Sequence, residues 1–385
     1  MLLLVTKIWE QRKLNSIFET VSKKGFSNLP VLTATQTKGM IYRNNSGIDI
    51  KFNENTLNNY KLVEPNQFVV HLRSFQGGLA ASSLRGIASP AYTVLSFKDN
   101  KQEVSFWKEF FRSKKFINSL VKVTYGIRDG RTIKVSDLLD LNYRIPAQNL
   151  EQCKVGHLIS SINKLLTLYE RKLKLLSQVK KYFLDNLFAE KEYPNLRFKG
   201  FTDAWEQRKL NSVFETVSKK GFSNLPVLTA TQTKGMIYRN NSGIDIKFNE
   251  NTLNNYKLVE PNQFVVHLRS FQGGLAASSL KGIASPAYTV LRFKDNKQEV
   301  SFWKEFFRSK KFINSLVKVT YGIRDGRTIK VSDLLDLKYR IPGQNLEQCK
   351  VGHLINFINK LLTLYENKQQ HLTEIKKTLL NTMFI

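Results

Sequence analysis

The stretch "VGHLISSINKLLTLYERKLKLLSQVKKYFLDNL" (Val155–Leu187) decides how the whole chain is read. In it Val155, Ile159, Ile162, Leu166, Tyr169, Leu173, Leu176, Lys180, Phe183 and Leu187 step by alternating four and three residues, with one polar interruption. That spacing is a heptad seam, because it returns one face of a helix to the same partner at every step. A matching series, Val351, Ile355, Ile358, Leu362, Tyr365, Gln369, Leu372, Lys376, Leu379 and Met383, follows at an offset of 196 residues. At about 1.5 Å per residue each helix reaches roughly 55 to 60 Å. Alone, each would expose its seam, so the nearest partner is the other helix of the same chain.

The offset of 196 extends far beyond the helices. Trp9–Glu170 recurs as Trp205–Glu366 without insertion or deletion. The two copies differ only at Ile17/Val213, Arg85/Lys281, Ser96/Arg292, Asn142/Lys338, Ala147/Gly343, Ser160/Asn356 and Ser161/Phe357. A repeat this long is a duplicated domain, since solenoid units run to roughly 20 to 50 residues.

Ahead of its helix each copy reads as a globular α/β (α+β) domain. Short β-rich runs, "LPVLTAT" (Leu29–Thr35), "GMIYR" (Gly39–Arg43), "NQFVVHL" (Asn66–Leu72) and "AYTVLSF" (Ala91–Phe97), are punctuated by Gly, Asn and Pro. An amphipathic helix is predicted over "VSFWKEFFRSKKFINSLV" (Val104–Val121), with Trp107, Phe110, Phe111, Ile117, Leu120 and Val121 on its core face. The domain boundaries are 1–147, 148–189 for the first spacer helix, 190–204 for a linker, 205–343 for the second domain and 344–385 for the second spacer helix. Two equal units joined head to tail close most simply about an approximate two-fold axis. The expected pairing of the helices is therefore an antiparallel coiled coil.

The chain has 60 Lys and Arg against 31 Asp and Glu, a formal charge of +29. Nucleic acid, an anionic membrane or an acidic protein are the partners that such a charge attracts. No apolar run approaches the roughly 20 residues that span a bilayer, and "MLLLV" is too short for a signal-peptide core. A soluble, cytoplasmic protein is expected. Cys153 and Cys349 occupy equivalent positions, fit no metal-ligand spacing and read as reduced thiols.

The passage "YPNLRFKGFTDAWEQRKL" (Tyr193–Leu210) resembles the opening of a target-recognition domain in specificity subunits of type I restriction-modification systems. "NYRIPAQNLEQCKVGHLISSINKLLTLYERK" (Asn142–Lys172) and "KYRIPGQNLEQCKVGHLINFINKLLTLYENK" (Lys338–Lys368) are similar to the family's "IP…EQ" lead into a spacer helix. The resemblance covers essentially the whole chain. It implies two target-recognition domains, each followed by a helix, and a non-catalytic subunit that reads double-stranded DNA. It also implies two modification subunits as partners, which methylate adenine with S-adenosylmethionine, and restriction subunits that cleave DNA in host defence. No cofactor is implied on this chain. The first copy lacks "RFKGFTDA" and starts with "MLLLVTKI", so a shortened edge of the first domain is expected.

Catalytic signatures are absent from the sequence. No two prolines adjoin, which removes the Asn/Asp-Pro-Pro-aromatic site of adenine methyltransferases, and neither Gly-x-Gly nor a Walker-type loop occurs. Asp49-Ile50-Lys51 has a nuclease-like spacing that arises commonly by chance. His71 and His267 fall within apolar strand patterns and read as core residues.

Base reading needs donors and acceptors, whereas phosphate needs positive charge. Three loop segments combine both. The first offers Thr35, Gln36, Thr37 and Lys38, with Thr231, Gln232, Thr233 and Lys234 in the second copy; Gln can pair bidentately with adenine. The second offers Arg73, Ser74, Gln76 and Arg85, with Arg269, Ser270, Gln272 and Lys281, beside glycines that admit close backbone approach. The third offers Tyr125, Arg128, Arg131 and Lys134, with Tyr321, Arg324 and Arg327. Lys23, Lys24, Lys219 and Lys220 read as phosphate contacts. A stand-alone DNA-binding adaptor, a specificity chain of another restriction class, and a structural protein with an acidic partner remain as alternatives.

Overall fold

The computed structural model describes residues 9–35, 38–47, 54–71, 78–126, 132–188, 191–231, 233–243, 250–267, 274–322 and 328–384. They form two units: the described residues to Glu170 together with those from Asn367 onward, and Arg171–Glu366.

In the first unit a four-stranded antiparallel sheet runs in the order Phe18–Val21, Tyr92–Phe97, Phe68–His71, Ala80–Ala81. Alternate residues of a strand face opposite sides, and both sides of this sheet are covered. Phe18, Phe68, Val70 and Leu95 join a core with Phe106, Trp107, Phe110, Phe111 and Phe116. Val69, Ala80, Tyr92 and Val94 join a second core with Leu32, Met40, Val63 and Ala88. The residues of that second core come from two further pairings, Leu32–Thr35 with Gly39–Tyr42 and Lys61–Val63 with Gly86–Ala88.

Trp9–Lys13 pairs antiparallel with Asn142–Pro146, in the register Trp9 to Pro146 and Lys13 to Asn142. The "WEQRK" and "NYRIP" motifs thus close the domain on each other immediately before the spacer helix begins. Trp9 Nε1 then donates to Glu151 Oε1 at 3.0 Å, in the helix's first turn.

The helix predicted over Val104–Val121 is two helices, Val104–Phe110 and Lys114–Leu120. Ser113 causes the break: its extended backbone ends the first helix, and its Oγ accepts from Phe116 N at 3.2 Å to cap the second. The turn rotates the apolar face. Phe106 and Phe116 become fully buried, while Val121 is 66% exposed, contrary to its expected core position.

The second unit repeats this plan. Its sheet order is Phe214–Val217, Tyr288–Phe293, Phe264–His267, Ala276–Ala277, and Glu206–Lys209 pairs with Lys338–Ile341.

The spacer helices are Asn149–Leu187 and Asn345–Met383, each 39 residues. All ten positions of both heptad series are buried or half-buried, Lys180, Lys376 and Gln369 included. In the second unit Lys172 Nζ lies 5.1 Å from the Tyr365 ring centroid, while Leu187 and Phe188 share a core with Val351 and Ile355. The paired segments therefore run antiparallel, as expected. In the first unit Phe384 meets Trp9, Phe106 and Phe110 edge-on and shares a core with Val155 and Ile159. Each unit thus combines the start of one spacer helix with the end of the other.

The lead-in ahead of Trp205 is fastened to the second unit. Arg197 pairs with Glu347, Glu192 O accepts from Trp205 N at 2.7 Å, and Lys350 lies over the Phe201 ring. The corresponding residues of the first copy, 1–8, lie outside the described residues, and so does the expected shortened edge.

Candidate nucleic-acid interface

The three candidate segments grow from the strand framework. Thr35 ends its strand with its Oγ1 donating to Gly39 O at 2.8 Å and accepting from Lys38 N at 3.0 Å. The hydroxyl therefore closes the turn, and Thr231 does the same through Gly235 and Lys234. Gly39 has φ +75°, and a Cβ there would collide with Ala81 O. Only glycine lets the hairpin lie against the Ala80–Ala81 strand, which places the first segment beside the second.

Arg85 and Lys281 are exposed, each one residue before the paired strand that begins at Gly86 or Gly282. Lys23 and Lys24 are exposed on a loop tied down by Leu62 N donating to Lys23 O at 2.8 Å. Lys61 stands next to them, and its sequence context did not mark it. Its Nζ donates to Tyr92 O at 2.6 Å, and burial, with the nearby charge of Lys24, draws its pKa below the ordinary lysine value. Lys257 repeats this beside Lys220. Lys61–Val63 pairs with Gly86–Ala88, so one pair of strands joins the Lys23/Lys24 loop to Arg85.

The third segment is built separately. Thr124–Tyr125 pairs with Thr132–Ile133, and Tyr125 Oη donates to Asp137 Oδ2 at 2.7 Å. Lys134 pairs with the same carboxylate at 2.9 Å. Hydrogen bonds from Tyr125, Lys134 and Ser136 hold Asp137 below the usual carboxylate range. The Tyr125 ring is 49% exposed while its hydroxyl is held by Asp137. Tyr321 and Asp333 repeat the arrangement.

Gln36, Thr37, Arg73, Ser74, Gln76, Arg128, Arg131, Gln232, Arg269, Ser270, Gln272, Arg324 and Arg327 lie outside the described residues, as does Asp49-Ile50-Lys51. Thr233 and Lys234 are exposed. His71 is half-buried at the end of its strand, with its ring 5.0 Å from that of Tyr92.

No family model and no curated protein matches this chain. Among solved structures, it is similar to the S subunit of a type I restriction-modification system from M. genitalium, with a TM-score of 0.61 and 14% identity over 100% of this chain and 98% of that one. The fold is that of the M. genitalium subunit. A HsdS subunit from Thermoanaerobacter tengcongensis is similar at 13% identity over 98% of this chain and 96% of its own, with a TM-score of 0.48. A chain from a study of type I R-M complex assembly and conformational transition is similar at 12% identity, over 98% of this chain and 97% of its own, with a TM-score of 0.46.

A cavity of about 240 Å³ in the second unit is lined by Gln207, Lys311, Lys318, Lys338 and Arg340 beside Phe188 and Phe306. One of its cations, Lys338, replaces Asn142 of the first copy. Among the described residues no group of three or more His, Cys, Asp or Glu is placed to hold a metal ion. Cys153 Sγ has Glu103 and Asn149 as acceptors for its single S–H, and the bond to Glu103 together with burial pushes its pKa up, which keeps it a protonated thiol. No helix of the described residues is long and apolar enough to cross a membrane.

Proposed function

We propose that this chain is the DNA-reading subunit of a type I restriction-modification complex, working in the cytoplasm without catalytic groups of its own. The observation that carries the reading is one fold-level likeness over the full chain, joined to a duplication so close that both domains present nearly the same side chains. Lys23, Lys24 and Arg85, with Lys219, Lys220 and Lys281, hold phosphate; Gln36, Gln76, Gln232 and Gln272 read bases. Tyr125 and Tyr321 support the backbone. Two modification subunits dock on the spacer and bring S-adenosylmethionine, and restriction subunits join them.

Near-identical readers, each followed by a spacer helix and related by an approximate two-fold, favour a target of two inverted half-sites around an unread gap, as symmetric dimers do on operators. Co-expression with the matching modification subunit followed by methylome sequencing tests this. One half-site found twice in inverted orientation is expected; two unrelated half-sites would sink it.

A further inference from the structure

Besides its heptad seam, the spacer carries a second apolar stripe that faces solvent. On the first helix Leu158, Leu165, Leu168, Leu175, Val179 and Tyr182 recur at heptad spacing and are 42% to 57% exposed. On the second, Phe357 is 59%, Leu364 46% and Ile375 38% exposed, and Leu354 and Leu361 of the same stripe are half-buried. In an antiparallel pair a given flank of one helix meets the same flank of the other, so within each unit both stripes lie on one side of the pair. Contiguous exposed apolar surface of this kind marks a binding face.

The two faces are unequal, and at their apolar positions every change in kind has the same sign. The second unit presents Phe357, Leu175 and Tyr182 where the first presents Ser161, His371 and Thr378. It also has Arg171 where the first has Asn367, beside Lys172 and Lys360. An apolar stripe with a basic rim complements an amphipathic helix with acidic flanks.

We infer that each face docks such a helix from one copy of a shared partner, and that the second-unit face fills first and holds its copy more tightly. This rests on reading the spacer as the dock of the modification subunits. The complex is therefore loaded in order, even though its DNA readers are nearly identical.

The test titrates the full chain with the modification subunit and follows one-to-one and one-to-two complexes by native mass spectrometry. Equal faces would give stepwise constants in the statistical ratio of about four; a ratio at least about tenfold wider is expected here. Phe357→Ser should narrow it by about tenfold, and Ser161→Phe should strengthen the second step by about tenfold. Both positions are exposed, and circular dichroism checks that the helices persist. A statistical ratio that neither variant shifts overturns the ordered loading while leaving docking intact. Absence of both complexes, with DNA binding retained, overturns the docking reading itself. A dimer of this chain that Phe357→Ser abolishes would overturn the choice of partner.

Discussion

Arg197 grips Glu347 with two parallel hydrogen bonds, Nε to Oε1 at 2.7 Å and Nη2 to Oε2 at 2.8 Å, and the carboxylate is almost wholly buried. Trp205 Nε1 donates to the same oxygen as Nε, at 3.1 Å. The lead-in, the residue just before the first strand of the domain and the first turn of the spacer helix thus converge on one carboxylate. Arg197→Ala leaves that charge buried and short of its fork. Breaking such a pair costs about 3 to 5 kcal/mol, and urea denaturation of the second domain should register it. Arg197→Lys should restore only part, because an ammonium cannot reproduce the planar fork.

Glu103 and Glu299 sit at the N-terminus of the Phe-rich helix in each unit and accept from Ser105 N and Ser301 N, both at 3.1 Å. Burial opposes their charge, but bonds from the cysteine thiols and from Ser105 and Ser301 outweigh it, so both pKa values are lowered. A depressed folded pKa contributes stability that is present above the unfolded value and is lost as pH falls through the folded one. Melting temperature should therefore decline below the ordinary carboxylate range. Glu103→Ala with Glu299→Ala should cost about 1 kcal/mol per cap near neutral pH and flatten that decline.

The long-range plan was legible in the sequence because it rests on period and repetition. Every heptad position from Val155 to Leu187 takes its expected place, and the spacer helices run antiparallel. Ser113 defeated the single-helix expectation because one capping residue inside an amphipathic run leaves the hydrophobic period almost unchanged. Lys61 and Arg197 were hidden for another reason: their roles depend on Tyr92 and Glu347, partners that only the fold brings near. Phe384 lies beyond the last heptad position, so its place among Trp9, Phe106 and Phe110 had no periodic signal.

Gly39 and Gly235 test whether the hairpin beside the Ala80–Ala81 strand forms part of the reader. Each has positive φ, and a Cβ at either would collide with the carbonyl of Ala81 or Ala277. Gly39→Ala should shift that hairpin while leaving the helix-side core intact. The expected result is loss of sequence-specific affinity at one half-site with non-specific binding retained, measured by competition between target and random duplexes.

Lys24 and Lys220 separate phosphate contact from base reading. Both are exposed, and each stands beside a half-buried lysine, Lys61 or Lys257, whose pKa is lowered by burial and then by that neighbouring charge. Removing a phosphate contact weakens binding to every sequence alike and reduces the slope of log affinity against log salt by about 0.9. Lys24→Ala and Lys220→Ala together should therefore lower the slope by about 1.8 and leave the ratio of target to random affinity unchanged. A fall in that ratio at constant slope would move these lysines from the backbone to the base edges. Lys61→Met supplies the contrast: the Lys61 ammonium is already engaged by the Tyr92 carbonyl at 2.6 Å, so its effect on the slope should be smaller than that of Lys24→Ala.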